Sequence, residues 1–445
     1  MSAPVSYADF LATKARRSVR TGPPCSPEDV HPFLHDWQRE LTAWAVRTGN
    51  AALWWDTGLG KTLAELEFAR LAADRSLIIA PLAVCHQTVA EAAKVDLDVR
   101  YVRSGEGLGP GVWITNYEMA ERFDADDFGA VILDEASILK HHDAKTRGRL
   151  IRHFADVPAK LAATATPAPN DPEELTGQAE WLGLMTRPEM LASYYINDPK
   201  TGGQKWRLKG HARGPMFSWL ATWAAALRSP ADLGYDATGY ELPPLDVRTH
   251  LLPVGEVEVE GQLFPVPASE VSIKGITGRS TVRKATVQQR CEYAAELIAK
   301  EPDEPWIVWC DRNDEADTMA RLLPGSVNVH GSMSPEEKAE ALLGFARGEI
   351  QILITKPKIA SFGMNWQHCA RSVHVGLSDS MESLYQAIRR CWRYGQVRPV
   401  EAHIVLTEAE QVIADNVARK QRQMDELIDE LVAAMTAARM GARAA

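Results

Sequence analysis

Trp55-Asp56-Thr57-Gly58-Leu59-Gly60-Lys61-Thr62 has the composition of a loop that cradles phosphate. Glycines let backbone N–H groups approach phosphate oxygens closely, and the N-terminus of a following helix adds partial positive charge. Thr57, Gly58, Leu59 and Gly60 are expected to form the cradle, and Lys61 to reach the β- and γ-phosphates of a nucleoside triphosphate. The Thr62 hydroxyl is expected to ligate Mg2+. Trp55 stands where the G-x-x-x-x-G-K-[ST] pattern has its first glycine. The bland alternative is a chance Gly-Lys-Thr at a helix start. Against it stand the apolar run before the loop and the amphipathic pattern after it, with Leu63, Leu66, Phe68 and Ala69.

A second constellation follows. Val131-Ile132-Leu133 is an apolar run that ends in Asp134-Glu135. In a parallel sheet, ligands gather at the carboxyl ends of strands. There Asp134 is expected to hold Mg2+, and Glu135 to orient and deprotonate an attacking water. An acidic pair alone is equally a solvated turn; its position downstream of a phosphate loop favours catalysis. His141, His142 and Asp143 come next. No other residue at metal-ligand spacing accompanies them, so they read as surface loop.

These residues need a scaffold, and the chain has the pattern of one. Short apolar runs at 51–55, 76–80, 112–115, 130–134 and 160–165 alternate with helical or loop segments. A second set lies at 306–310, 326–330, 350–355, 372–377 and 402–406. Buried runs spaced by helices imply parallel sheets with crossover helices, here two in tandem. The stretch 171–244 between them is rich in Trp and Leu and reads as helical, with a basic, Gly-rich loop at 200–215 around Trp206. The expected organisation is a tail at 1–30, a first lobe at 31–170, an insertion at 171–244, a second lobe at 245–410 and a helix with tail at 411–445.

Composition agrees with a soluble enzyme of two or three domains: 445 residues, 45% hydrophobic and 24% charged. The chain has no apolar run of about 18 residues, and its N-terminus lacks the order of a secretory signal. A cytoplasmic location is expected. The six cysteines include no C-x-x-C pair, which argues against a zinc ribbon or a disulfide framework. The net charge of −10 speaks mildly against coating nucleic acid by bulk charge and leaves room for a groove of local Lys and Arg.

Together these motifs resemble the superfamily 2 helicases, in their Swi/Snf-like branch. Leu34-His35-Asp36-Trp37-Gln38 resembles the adenine-reading element, and the Gln38 amide offers both a donor and an acceptor to a base. Asp134-Glu135-Ala136-Ser137 resembles the DExx element, with Ser137 where a His is common. Segments 79–84 and 114–118 resemble motifs Ia and Ib, which implies nucleic-acid contacts from Pro81, Thr115 and Asn116. Residues 164–170 resemble motif III, which links ATP state to lobe movement. Cys310-Asp311-Arg312 and His330-Gly331 resemble motifs IV and IVa, and residues 359–366 resemble motif V, so His330 and Asn365 are further expected contacts and Gly363 an ATP-site residue. The most specific match is Gln386-Ala387-Ile388-Arg389-Arg390-Cys391-Trp392-Arg393-Tyr394-Gly395-Gln396, which resembles motif VI. It implies that Gln386 serves the ATP site and that Arg390 and Arg393 are arginine fingers. Three residues apart, the two arginines would share a face of a helix.

The resemblance implies two tandem RecA-like lobes with a helical insertion, ATP and Mg2+ as cofactors, and ATP-driven movement along DNA, with duplex favoured. Its compactness is like that of a minimal motor from a phage or prophage. An RNA helicase is the first alternative, although DEAD-box motif VI has a different order of residues. A nucleic-acid-independent ATPase switch with a protein partner is the second. A packaging terminase would lack the second lobe.

Overall fold

The computed structural model describes residues 20–140, 144–197, 206–257, 266–267, 282–360 and 365–444. Within it the chain divides into two compact units, residues 1–237 with 423–445, and residues 238–422.

The first unit is built on β1 (Asn50–Trp55), β2 (Arg75–Ala80), β3 (Val99–Tyr101), β4 (Gly111–Asn116), β5 (Ala130–Asp134) and β6 (Ala159–Ala163). A hairpin of β7 (Tyr195–Asn197) and β8 (Trp206–Leu208) follows, and then β9 (Ala224–Leu227). Seven of these strands form one sheet in the order β3-β4-β2-β5-β6-β1-β9, and every pairing in it is parallel. All five residues of β5 and of β6 are buried, as strands covered on both faces must be. Helices α1 (Asp36–Thr48), α2 (Lys61–Ala72), α3 (Leu82–Ala92) and α4 (Lys145–His153) accompany the sheet.

The stretch 171–244 differs from its expected character. Helices α5 (Leu175–Trp181), α6 (Arg187–Tyr194) and α7 (Arg213–Leu220) are there, but so is β9, which pairs with β1 as the seventh strand of the first sheet. Trp181, Trp219 and Trp223 are buried, and Trp223 meets Trp54 of β1 edge-on at 5.5 Å. Three of the four tryptophans of this stretch therefore serve the core of the first unit, and Trp206 is half-buried on β8. The Ala226 N–H at this sheet edge is 3.1 Å from Met435 Sδ, a residue of the final helix, so the edge is covered.

The second unit contains β10 (Leu245–Leu252), the short antiparallel pair β11 (Glu256–Val257) and β12 (Val266–Pro267), β13 (Trp306–Cys310), β14 (Val327–Val329), β15 (Ile352–Thr355), β16 (Arg371–Val375) and β17 (Val400–Thr407). Its six-stranded sheet runs β10-β17-β16-β13-β15-β14, again wholly parallel. Side chains alternate across it. Trp306, Val308 and Cys310 of β13 join a core with Cys291 and Met319, from α8 (Val287–Ala299) and α9 (Asn313–Leu322). Ile307 and Trp309 join a separate core with Phe345 and Trp366 on the other face. Helices α10 (Pro335–Ala346), α11 (Pro357–Ala360) and α12 (Met381–Ile388) complete the unit, and α13 (Gln411–Ala444) ends the chain. Each unit is a RecA-like lobe, a parallel sheet wound with helices. All six cysteines are buried and free. No described helix is long and apolar enough to cross a membrane.

Candidate ATP-hydrolysis site

β1 delivers the chain to the loop 56–60 and α2 carries it away. Gly58 and Gly60 have φ of 88° and 76°, conformations that side chains resist, so both glycines are required by the backbone. Trp55 does not intrude on the loop: it is fully buried and its ring lies 5.4 Å from that of Trp37 in α1. The missing first glycine is thus replaced by a core anchor at the end of β1. Lys61 Nζ donates to the Trp55 and Asp56 carbonyls at 2.8 and 3.3 Å, bracing the loop from within. Gln38 is buried behind the loop. Its Nε2 donates to Leu59 O at 2.8 Å, and its Oε1 accepts from His35 N, also at 2.8 Å. The amide expected to read adenine therefore also clamps the loop to α1, and it retains a second N–H.

At the end of β5, Asp134 is buried, and burial pushes its carboxyl up to about 6 against the counter-pull of Lys61. Glu135 has φ of 56°, a left-handed backbone that a residue with Cβ adopts only under constraint. A hydroxyl and carboxylates are the oxygen donors that Mg2+ selects. The buried Asp134, disfavoured as an anion, is where a divalent cation is most stabilising, so Thr62 and Asp134 fit the ion.

Arg390 and Arg393 depart from the expected helix. α12 stops at Ile388, and both arginines lie in the turns that follow. The Arg390 carbonyl, which a continuing helix would offer to Tyr394, accepts instead from Trp366 N at 3.0 Å. The Gln396 amide then draws the chain back, donating to the Gln367 and Cys369 carbonyls at 2.8 and 3.0 Å. Arg390 is buried, and burial together with Arg389 lowers the basicity of the half-buried Arg393. Arg389 is buried against three aromatic rings, its guanidinium carbon 4.9 Å from Trp392, 5.7 Å from Tyr394 and 5.8 Å from Tyr385. Gln386 is half-buried on α12, and Gly363 lies outside the described residues.

The family model of the helicase conserved C-terminal domain matches residues 289–395, which run from α8 through the arginine segment. The match covers less than half of the chain and includes Gln386, Arg390 and Arg393. Among solved structures, the Sulfolobus solfataricus SWI2/SNF2 ATPase core in complex with dsDNA is similar at 15% identity and a TM-score of 0.41, over 93% of this chain and 99% of that one. A search of curated proteins finds no match.

The helicase motifs expected to touch nucleic acid are placed unevenly. Thr115 is fully buried, with its hydroxyl donating to Val102 O at 2.8 Å. Asn116 is also buried and accepts from the Tyr101 hydroxyl at 2.9 Å. Pro81 is half-buried at the start of α3, whereas His330 and Asn365 are exposed. Asp311 and Arg312 offer their backbone N–H groups to Glu315 at 3.0 Å and so cap α9. Residues 141–143 and 200–205 lie outside the described residues. Among the described residues no group of three or more His, Cys, Asp or Glu is placed to hold a metal ion.

Two site residues escaped the motif reading. Glu65 follows Lys61 by one turn of α2, is fully buried, and has no hydrogen-bond partner on either carboxyl oxygen. Burial first, then Asp134, raises its pKa well above the carboxylate range. The acidic residue inside an otherwise apolar helix face was the available signal. Tyr117 donates its hydroxyl to Asp134 O at 2.5 Å, a contact that motif Ib gave no reason to expect.

Proposed function

We propose that this protein is a superfamily 2 helicase of the Swi/Snf-like branch, an ATP-driven translocase on DNA with duplex the favoured substrate. The observation that carries the ATP chemistry is the pairing of a glycine-dependent phosphate loop with Glu135, held in a left-handed backbone beside Asp134. The DNA preference rests on the residue pattern from Gln386 to Gln396.

The loop N–H groups and Lys61 bind the β- and γ-phosphates, and Gln38 stands by the base. Thr62 and Asp134 would hold Mg2+, which neutralises phosphate charge when bound. Glu135 orients a water and takes its proton as the water oxygen bonds to the γ-phosphorus. The bond from that phosphorus to the β,γ-bridging oxygen breaks, giving ADP and phosphate. Arg390 and Arg393 are the cations that offset charge on the transferred phosphoryl group. Loss of the γ-phosphate changes the grip on a nucleic-acid backbone, and repeated grip and release is movement. His330 and Asn365 are exposed and suited to phosphate contact; contacts of that kind carry little base specificity.

ATP turnover measured alone, with single-stranded DNA, with duplex DNA and with RNA tests the reading. Stimulation by duplex, abolished in Glu135→Gln, supports it. Stimulation by RNA alone moves the protein to RNA, and equal turnover in every condition leaves an ATPase switch.

A further inference from the structure

We infer that Tyr117 is a positioning residue for Glu135: its hydroxyl fixes the peptide that carries the hydrolytic carboxylate and ties that peptide to the end of β4. The inference rests on the ATP-hydrolysis reading of the site.

Glu135 and Asp96 are the non-glycine residues of the described chain with positive φ. A left-handed Glu is sterically disfavoured and persists only where its surroundings over-determine it. The dihedral φ of Glu135 is set by the plane of the Asp134–Glu135 peptide, and the carbonyl of that peptide is the group that accepts from Tyr117 at 2.5 Å. One hydrogen bond thus acts on the torsion that aims the Glu135 side chain. Tyr117 follows β4 directly, and β2 lies between β4 and β5 in the sheet, so the tyrosine reaches past a whole strand to make this bond. The base of Tyr117 is itself fixed. The Thr115 hydroxyl is bonded to Val102 O, Asn116 takes the Tyr101 hydroxyl, and Met119 N closes the turn on Asn116 O at 2.9 Å. Tyr117 is half-buried, with its hydroxyl turned onto the Asp134 carbonyl. A shift of the 116–119 turn would therefore rotate the peptide that aims the water-activating carboxylate.

Tyr117→Phe removes the hydroxyl and keeps the ring. The expected result is a fall in kcat of about tenfold, the effect of losing one buried hydrogen bond in the transition state, with ADP affinity within about twofold of wild type. On the Glu135→Gln background the same change should add no further loss, because the two act through one group. A kcat within about twofold of wild type overturns the inference. So does a parallel loss of ADP affinity and thermal stability, or a further tenfold loss on the Glu135→Gln background; these mark a general structural role. A wild-type chain no more active than Glu135→Gln overturns the hydrolysis reading itself, and this inference with it.

Discussion

Glu65 and Asp134 are two buried carboxyls that share one Lys61, and their surroundings make both weak acids. Each holds its proton more tightly folded than unfolded. The contribution of Asp134 to stability is therefore complete below its unfolded value of 3.8 and is lost as pH rises through its folded value of about 6, and that of Glu65 is lost in the same direction. The unfolding midpoint of ligand-free wild type, compared with Asp134→Asn, is expected to fall as pH rises from about 4 to 6. A difference that stays constant across that range would contradict the assigned burial. Glu135 differs in kind, since its proposed task is the reaction itself. Glu135→Gln should lower kcat by about 10²–10⁴-fold and leave ADP binding intact, as loss of a general base does. Measured turnover alongside nucleotide titration separates the two effects.

Elements decide which residues can meet, and here the legible and illegible parts divide on physical grounds. Both parallel sheets were readable because β1, β5 and β13 are almost wholly apolar runs, as strands covered on both faces must be. β9 was not, because Ala224-Ala225-Ala226-Leu227 lacks β-branched side chains and owes its strand state to pairing with β1. The end of α12 was hidden for a similar reason: the bond from Trp366 N to Arg390 O comes from residues 24 positions away in sequence. The phosphate loop was legible residue by residue, whereas Glu65 and Tyr117 belong to the site through packing alone. Two predictions sit at this scale. Gly60→Ala places a Cβ 2.4 Å from Gln38 Nε2 at a left-handed position, a backbone cost of about 1–2 kcal/mol, and is expected to weaken ADP binding about tenfold or more in a direct titration. Arg389→Ala empties the cation site among Tyr385, Trp392 and Tyr394 and is expected to cost about 1–3 kcal/mol in denaturant unfolding, with Arg389→Lys a poor replacement because a compact ammonium does not stack.

At the scale of the whole molecule, the chain carries a net charge of −10 and yet is read as acting on a polyanion. The two facts agree if contact is local and transient, as movement along a backbone requires, because a motor must release as readily as it grips. Duplex-stimulated turnover should then fall steeply with added salt, since each phosphate contact releases counterions on binding. If hydrolysis drives travel along duplex DNA, the moving protein should displace a third strand from a short triplex site. Displacement is expected with ATP, and none with a non-hydrolysable analogue or with Glu135→Gln. Vigorous duplex-stimulated ATP turnover that leaves the third strand in place would contradict it.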